Sequence, residues 1–172
     1  MKAQRLPGKP LLKINGLSII SHVVKRAKET QIGEVIVATE DDEIIEDVKK
    51  NNGEAILTSK GHKSGTDRIW EAYKKLNIKN IDFIINLQGD EPLINVEDIR
   101  NLDFITKQNT SKITTLASKI DSEDIFFNKN IVKVQTEGDL EENKSSKAID
   151  FFRKKREIEK KNIYNHIGIY EY

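Results

Sequence analysis

Two adjacent acids, Asp90 and Glu91, stand in the block Gln88-Gly89-Asp90-Glu91-Pro92, directly after the run Phe83-Ile84-Ile85-Asn86-Leu87. That run is mostly large and apolar and too short for a stable helix, so it reads as a buried strand. A strand that stops at Gly-Asp-Glu-Pro presents carboxylates at its C-terminal edge, where open α/β sheets bind ligands. A carboxylate at such an edge can hold Mg²⁺, which favours one or two carboxylates plus substrate phosphates. Glycine and proline account for the turn; they do not require two acids beside it.

Cations lie elsewhere. Arg5-Leu6-Pro7-Gly8-Lys9-Pro10 puts two of them on a loop stiffened by two prolines, with a glycine where backbone can approach closely. Lysine can act on a triphosphate as a point charge and arginine as a fork, although a solvated surface turn has the same composition. In His62-Lys63-Ser64-Gly65-Thr66-Asp67-Arg68, Ser64 and Asp67 form an S-x-x-D capping box at the start of a helix. Backbone N–H groups at that terminus can also bind a base edge or an anion. Arg68 falls on the first turn, against the helix dipole, which points to a ligand or to an internal carboxylate partner. His166 and Tyr170 share one face of a strand and line either core or pocket. His22, on an amphipathic helix, reads as structural. Arg153-Lys154-Lys155-Arg156 is followed by Glu157, Glu159, Lys160 and Lys161, and the Glu157–Lys161 spacing makes this a solvated helix face.

These residues need a scaffold, and the chain alternates strand and helix. Helical periodicity runs from Ser18 to about Gln31, with Ser18 as N-cap. A strand at Glu34–Thr39 follows, and Thr39-Glu40-Asp41-Asp42 matches a second capping box for a helix ending near Asn52-Gly53. Next come a strand at Ala55–Leu57, a helix from about Thr66 to Leu76, the strand at residues 82–87, a helix at Val96–Gln108 and a strand at Ile113–Ser118. This order predicts an α/β fold, a mostly parallel sheet flanked by helices. Beyond about residue 120 the pattern shifts to strands at Ile131–Val134, Ala148–Phe152 and His166–Tyr170 between polar stretches. That region reads as an α+β C-terminal extension of one 172-residue domain, with residues 1–120 as the nucleotide-binding part.

Lys+Arg is 29 and Asp+Glu 28, so a net charge of +1 gives no reason to expect nucleic acid or an anionic membrane as partner. The absence of cysteine excludes disulfides and thiolate metal sites and suits a reducing cytoplasm. No apolar run approaches the roughly 18 residues of a membrane span.

Taken together, Arg5-Leu6-Pro7-Gly8-Lys9-Pro10-Leu11, Ala38-Thr39-Glu40-Asp41, His62-x-Ser64-Gly65-Thr66-Asp67-Arg68, Asn86-Leu87-Gln88-Gly89-Asp90-Glu91-Pro92 and His166-Ile167-Gly168-Ile169-Tyr170 closely resemble the 3-deoxy-manno-octulosonate cytidylyltransferase (CMP-KDO synthetase) family. The resemblance implies a Rossmann-like nucleotidyltransferase that joins CTP and KDO into CMP-KDO and pyrophosphate for lipopolysaccharide assembly, with Mg²⁺ as cofactor and a homodimer as the assembly. Carried over by position, Asp90 would bind Mg²⁺, with Lys9 and Asp90 as the catalytic pair. Arg5 and Lys9 would meet the triphosphate, and Thr39, Ser64, Gly65 and Arg68 would surround the nucleotide. Gln88, Arg153, His166 and Tyr170 would face the sugar. The family begins with an apolar strand before the Arg5 loop and continues past Tyr172 to a second metal-binding aspartate, so the chain is expected to be truncated at both ends and its sugar side incomplete. A CMP synthetase for another acidic sugar of the sialic-acid type, and a non-catalytic nucleotide-binding remnant, are the alternatives.

Overall fold

The structure, a computed structural model, describes residues 8–109, 112–141, 144–154 and 161–172. Arg5 and the stretch 155–160 of the charged run therefore lie outside the described residues. The chain divides into two compact units, Met1–Arg100 and Asn101–Tyr172. That division comes earlier than the change of pattern near residue 120 that the sequence displays.

Among the described residues the first unit starts with a 3₁₀ turn, Lys9–Leu11, entered through Gly8 in the left-handed region at φ 71°. β1 (Lys13–Ile14) and β2 (Leu17–Ser18) form an antiparallel hairpin. Its two-residue turn, Asn15-Gly16, has φ 49° and 84°, the pair of positive angles that a type I′ turn demands and that Asn-Gly tolerates. α1 (Ile19–Glu29) starts at Ser18, whose Oγ accepts from the Ser21 N–H at 3.2 Å. β3 (Ile36–Thr39) runs parallel to β4 (Glu54–Leu57), with α2 (Asp42–Lys50) as the crossover. α3 (Gly65–Leu76) and the two-residue strand β5 (Ile85–Asn86) follow. α4 (Val96–Gln108) begins in this unit.

Ile20 and Val24 of α1 meet Ile44 and Val48 of α2, each pair at the i,i+4 spacing that stacks side chains on one helix face. Leu11, Val35, Val37 and Ala55 pack against this cluster, so the crossover helix is clamped onto the parallel pair. Gly53 is required here: a Cβ would stand 2.6 Å from Val48 Cγ1 and 3.3 Å from Val24 Cγ1. Asn52 takes φ 59° to end α2, and the Gly53 N–H donates back to the Val48 carbonyl at 2.8 Å.

Two local expectations are corrected. Thr39 is not the N-cap of α2; it ends β3, and its hydroxyl accepts from the Asp41 N–H at 3.2 Å. Asp41 occupies the N-cap position without a side-chain capping bond. The strand expected over residues 82–87 contracts to Ile85–Asn86, with Phe83 exposed and Asn86 buried, so the apolar run does not have two covered faces.

In the second unit, β6 (Thr114–Ser118), the short α5 (Glu123–Phe127), β7 (Lys133–Thr136), β8 (Ala148–Phe152) and β9 (Ile163–Glu171) follow the end of α4. β9 pairs antiparallel with β6 along its C-terminal part and with β7 along its start, and β7 pairs antiparallel with β8. The β6–β9 register shifts between Thr115 and Leu116: Thr115 faces Tyr170, while Leu116 faces Ile167.

Candidate functional site

The chain leaves β5 through Leu87 and Gln88 into a turn at Gly89-Asp90. Gly89 lies against α1, where a Cβ would come within 3.0 Å of Ile20 Cδ1, so backbone packs closely beneath the acids. Asp90 points to the other end of the unit's sequence. Lys9 Nζ donates to its Oδ2 at 2.7 Å across 81 positions. The side chains are 34% and 44% exposed, so the pair is open to water and free to exchange partners. Glu91 is exposed, yet its carboxyl is raised above its ordinary value, by desolvation first and then by the Asp90 charge, with Lys9 opposing.

A half-exposed carboxylate such as that of Asp90 could serve a magnesium ion as donor. Among the described residues no three His, Cys, Asp or Glu side chains gather. A cation here would therefore take one or two carboxylates and complete its shell from phosphate and water, the arrangement Mg²⁺ favours. The half-exposed Asp90 carboxylate, held among the described residues by one lysine that a triphosphate could draw away, fits that ion.

Ser64 caps α3 as its sequence predicts, with Oγ accepting from the Asp67 N–H at 3.1 Å and donating to Asp67 Oδ2 at 2.8 Å. Gly65 opens the helix with free space where a Cβ would sit, so a ligand could approach its backbone closely. Arg68 turns the other way. It is buried, and its guanidinium donates to Glu40, to Thr58 Oγ1 at 2.5 Å and, at 3.5 Å, to the Ser59 carbonyl. Of the two partners that its position on the first turn allows, the structure supplies the internal carboxylate. Arg68 holds the Glu40 carboxyl below its ordinary range, chiefly through their hydrogen bond. Thr39, also buried, receives the Thr58 N–H on its carbonyl at 2.8 Å, so Thr39, Glu40, Thr58 and Arg68 form one tied cluster at the ends of β3 and β4.

The sugar-side residues divide between the units. Gln88 is partly buried in the first, beside Asp90 in sequence, and its carbonyl accepts from the Glu91 N–H at 3.4 Å. In the second, the His166 ring stands 5.4 Å from Tyr170 and 5.0 Å, edge-on, from Phe151, centroid to centroid. His166 Nε2 lies 3.0 Å from Thr115 Oγ1, and burial pushes the imidazole pKa down. Arg153 is exposed at the end of β8, with Nη1 donating to the Asn130 carbonyl at 2.6 Å.

Comparison with known proteins decides the family. The cytidylyltransferase family model matches residues 1–172. The chain belongs to the cytidylyltransferase family. It is 46% identical to the 3-deoxy-manno-octulosonate cytidylyltransferase of Thermodesulfovibrio yellowstonii, over 98% of this chain and 70% of that protein. It is 42% identical to the enzyme of the same name from Cytophaga hutchinsonii, over 98% and 69%. A solved structure of CMP:2-keto-3-deoxy-manno-octonic acid synthetase complexed with CTP superposes with a TM-score of 0.82 at 36% identity, covering 98% of this chain and 68% of that one.

Sequence reasoning about this cytidylyltransferase missed two polar hubs. Glu71 accepts from the Ser59 N–H at 2.9 and 3.1 Å, from Ser59 Oγ at 3.0 Å and from Lys75 at 2.7 Å, and it also pairs with His62. The Lys75 contact first, with His62 and Ser59 adding, holds its carboxyl at about 2. Glu71 thereby ties the loop before Ser64 to the body of α3. The four-residue spacing of Glu71 and Lys75, about one helical turn, is a signal that could have found it. Lys133 is buried and donates its ammonium to the carbonyls of Asn128 at 2.6 Å, Ile131 at 3.0 Å and Arg153 at 3.3 Å. Desolvation lowers its pKa, and the Arg153 charge adds to this. Lys133 and Arg153 thus grip the same loop, residues 128–131, from within and from the surface.

Proposed function

We infer that the chain transfers the cytidylyl group of CTP to KDO, giving CMP-KDO and pyrophosphate. The observation that carries this reading is the meeting of Lys9 with Asp90 in a member of a family whose similar relatives are named for this activity. The anomeric hydroxyl oxygen of the sugar attacks the α-phosphorus and loses its proton. The bond from that phosphorus to the bridging oxygen breaks, and pyrophosphate leaves with the electron pair. The chain needs to do little covalent work; it must position the reactants and balance charge. Lys9, drawn off Asp90, meets the triphosphate, joined by Arg5, four positions earlier in the sequence. When bound, Mg²⁺ supplies neutralisation of the phosphoryl oxygens at the Asp90 carboxylate.

The N–H groups at Ser64 and Gly65, at the start of α3, suit the cytosine edge, and Thr39 borders the same nucleotide. Arg68 acts by holding Glu40 and Thr58 in place, which is the role its contacts support. Gln88, Arg153, His166 and Tyr170 are the residues proposed for the sugar. The reading includes action in the cytoplasm as a homodimer, and among the described residues no helix is long and apolar enough to cross a membrane.

Pyrophosphate release from CTP with Mg²⁺ tests it, using KDO and sialic acid as competing acceptors. Release with KDO alone is expected. A preference for sialic acid would reassign the sugar, and no release with either would remove the activity.

A further inference from the structure

Thr115 has one hydroxyl proton and three polar neighbours. Its Oγ1 lies 2.5 Å from the Ile169 carbonyl oxygen, 3.3 Å from the Ile167 carbonyl oxygen and 3.0 Å from His166 Nε2. Carbonyl oxygens only accept, so the Thr115 proton is committed to them, above all to Ile169. The contact with Nε2 is then a hydrogen bond only if Nε2 carries a proton and donates it. Burial lowers the His166 pKa, so the ring is neutral near pH 7 and has a single N–H to assign. With that proton on Nε2, Nδ1 is left as an acceptor, and the described residues supply no hydrogen bond to it. Thr115 and His166 share one face of the β6–β9 pair, because His166 stands opposite Ala117, two positions along the strand from Thr115. Phe151 and Tyr170 flank the imidazole and limit its rotation.

We propose that Thr115 is a positioning residue that locks His166 in the Nε2–H tautomer and so presents Nδ1 as the acceptor for a hydroxyl of the acceptor sugar. This rests on the reading of His166 as a sugar-side residue. It adds a polarity to that contact: a hydroxyl is recognised as donor, and an ether or a fluorine at the same position of the sugar is rejected.

The test combines ¹⁵N NMR of the ring nitrogens with titration of KDO into the full chain holding a non-reactive CTP analogue. With three histidines in the chain, His166→Gln assigns the signal. The wild-type ring is expected as Nε2–H. Thr115→Val is expected to lose that preference and to weaken KDO binding roughly three- to tenfold, the effect of one hydrogen bond, with CTP-analogue affinity unchanged. Thr115→Ser is expected to restore both. An Nδ1–H ring in the wild type overturns the proposal even if Thr115→Val fails to fold. Unchanged KDO affinity in a folded Thr115→Val also overturns it. His166→Ala then separates the two failures. If it weakens KDO binding, His166 remains a sugar residue with Thr115 uninvolved; if it does not, the sugar-side reading of His166 falls as well.

Discussion

Lys9–Asp90 and Arg68–Glu40 are both cation–carboxylate pairs in the first unit, and they differ in what surrounds them. The first is 34% and 44% exposed with one hydrogen bond between its members; the second is 11% and 21% exposed, and its arginine is further tied to Thr58 and Ser59. An exposed pair is held weakly, by up to about 1 kcal/mol, and gives way to a better partner. A buried, multiply bonded pair keeps its geometry because breaking it strands a charge away from water. The same elementary interaction thus supplies an exchangeable contact in one place and a fixed wall in the other.

That contrast can be broken by mutation. The largest effect is expected for Asp90→Ala: pyrophosphate release falls by about a hundredfold or more, with the unfolding free energy shifted by less than about 1 kcal/mol. Arg68→Met is the converse, expected to lower stability by roughly 3 kcal/mol in urea titration. The double variant Arg68→Met/Glu40→Gln is expected to recover part of that loss, because no unpaired carboxylate remains. An Arg68→Met protein of unchanged stability that fails to bind CTP would turn the wall into a direct ligand.

A smaller effect concerns pH. Glu71 has a folded pKa of about 2 against an ordinary 4.5. A depressed carboxyl contributes stability that is fully present above its unfolded pKa and is lost as pH falls through the folded one. The gap in urea midpoint between wild type and Glu71→Gln is therefore expected to close between about pH 5 and pH 2; a gap that widens on acidification would contradict the Lys75, His62 and Ser59 contacts. Smallest is the stability change for Lys9→Met, within about 1 kcal/mol by thermal unfolding, although its CTP affinity is expected to fall and to lose salt sensitivity.

Much of the molecule was legible in the sequence because its signals are local. The periodicity of Ile20, Val24, Ile44 and Val48, the Ser64 cap and the Asn15-Gly16 turn are each decided within a few residues, and all of them appear. The Thr39 box failed because a hydroxyl at a strand end can satisfy an N–H two residues on as readily as it can cap a helix. α5 is too short to show a period. The Lys9–Asp90 proximity followed from family likeness and was found, whereas the choice of Glu40 as the partner of Arg68 spans 28 positions and leaves no periodic trace. Lys133 was missed for a different reason: its partners are backbone carbonyls that no side-chain pattern records.

The exchangeable pair is tested most directly by calorimetric titration of CTP into wild type and Asp90→Ala, each with and without Mg²⁺. Magnesium is predicted to strengthen CTP binding to the wild type and to leave binding to Asp90→Ala unchanged. An equal magnesium dependence in both proteins would contradict the assignment of Asp90 as the metal-binding carboxylate.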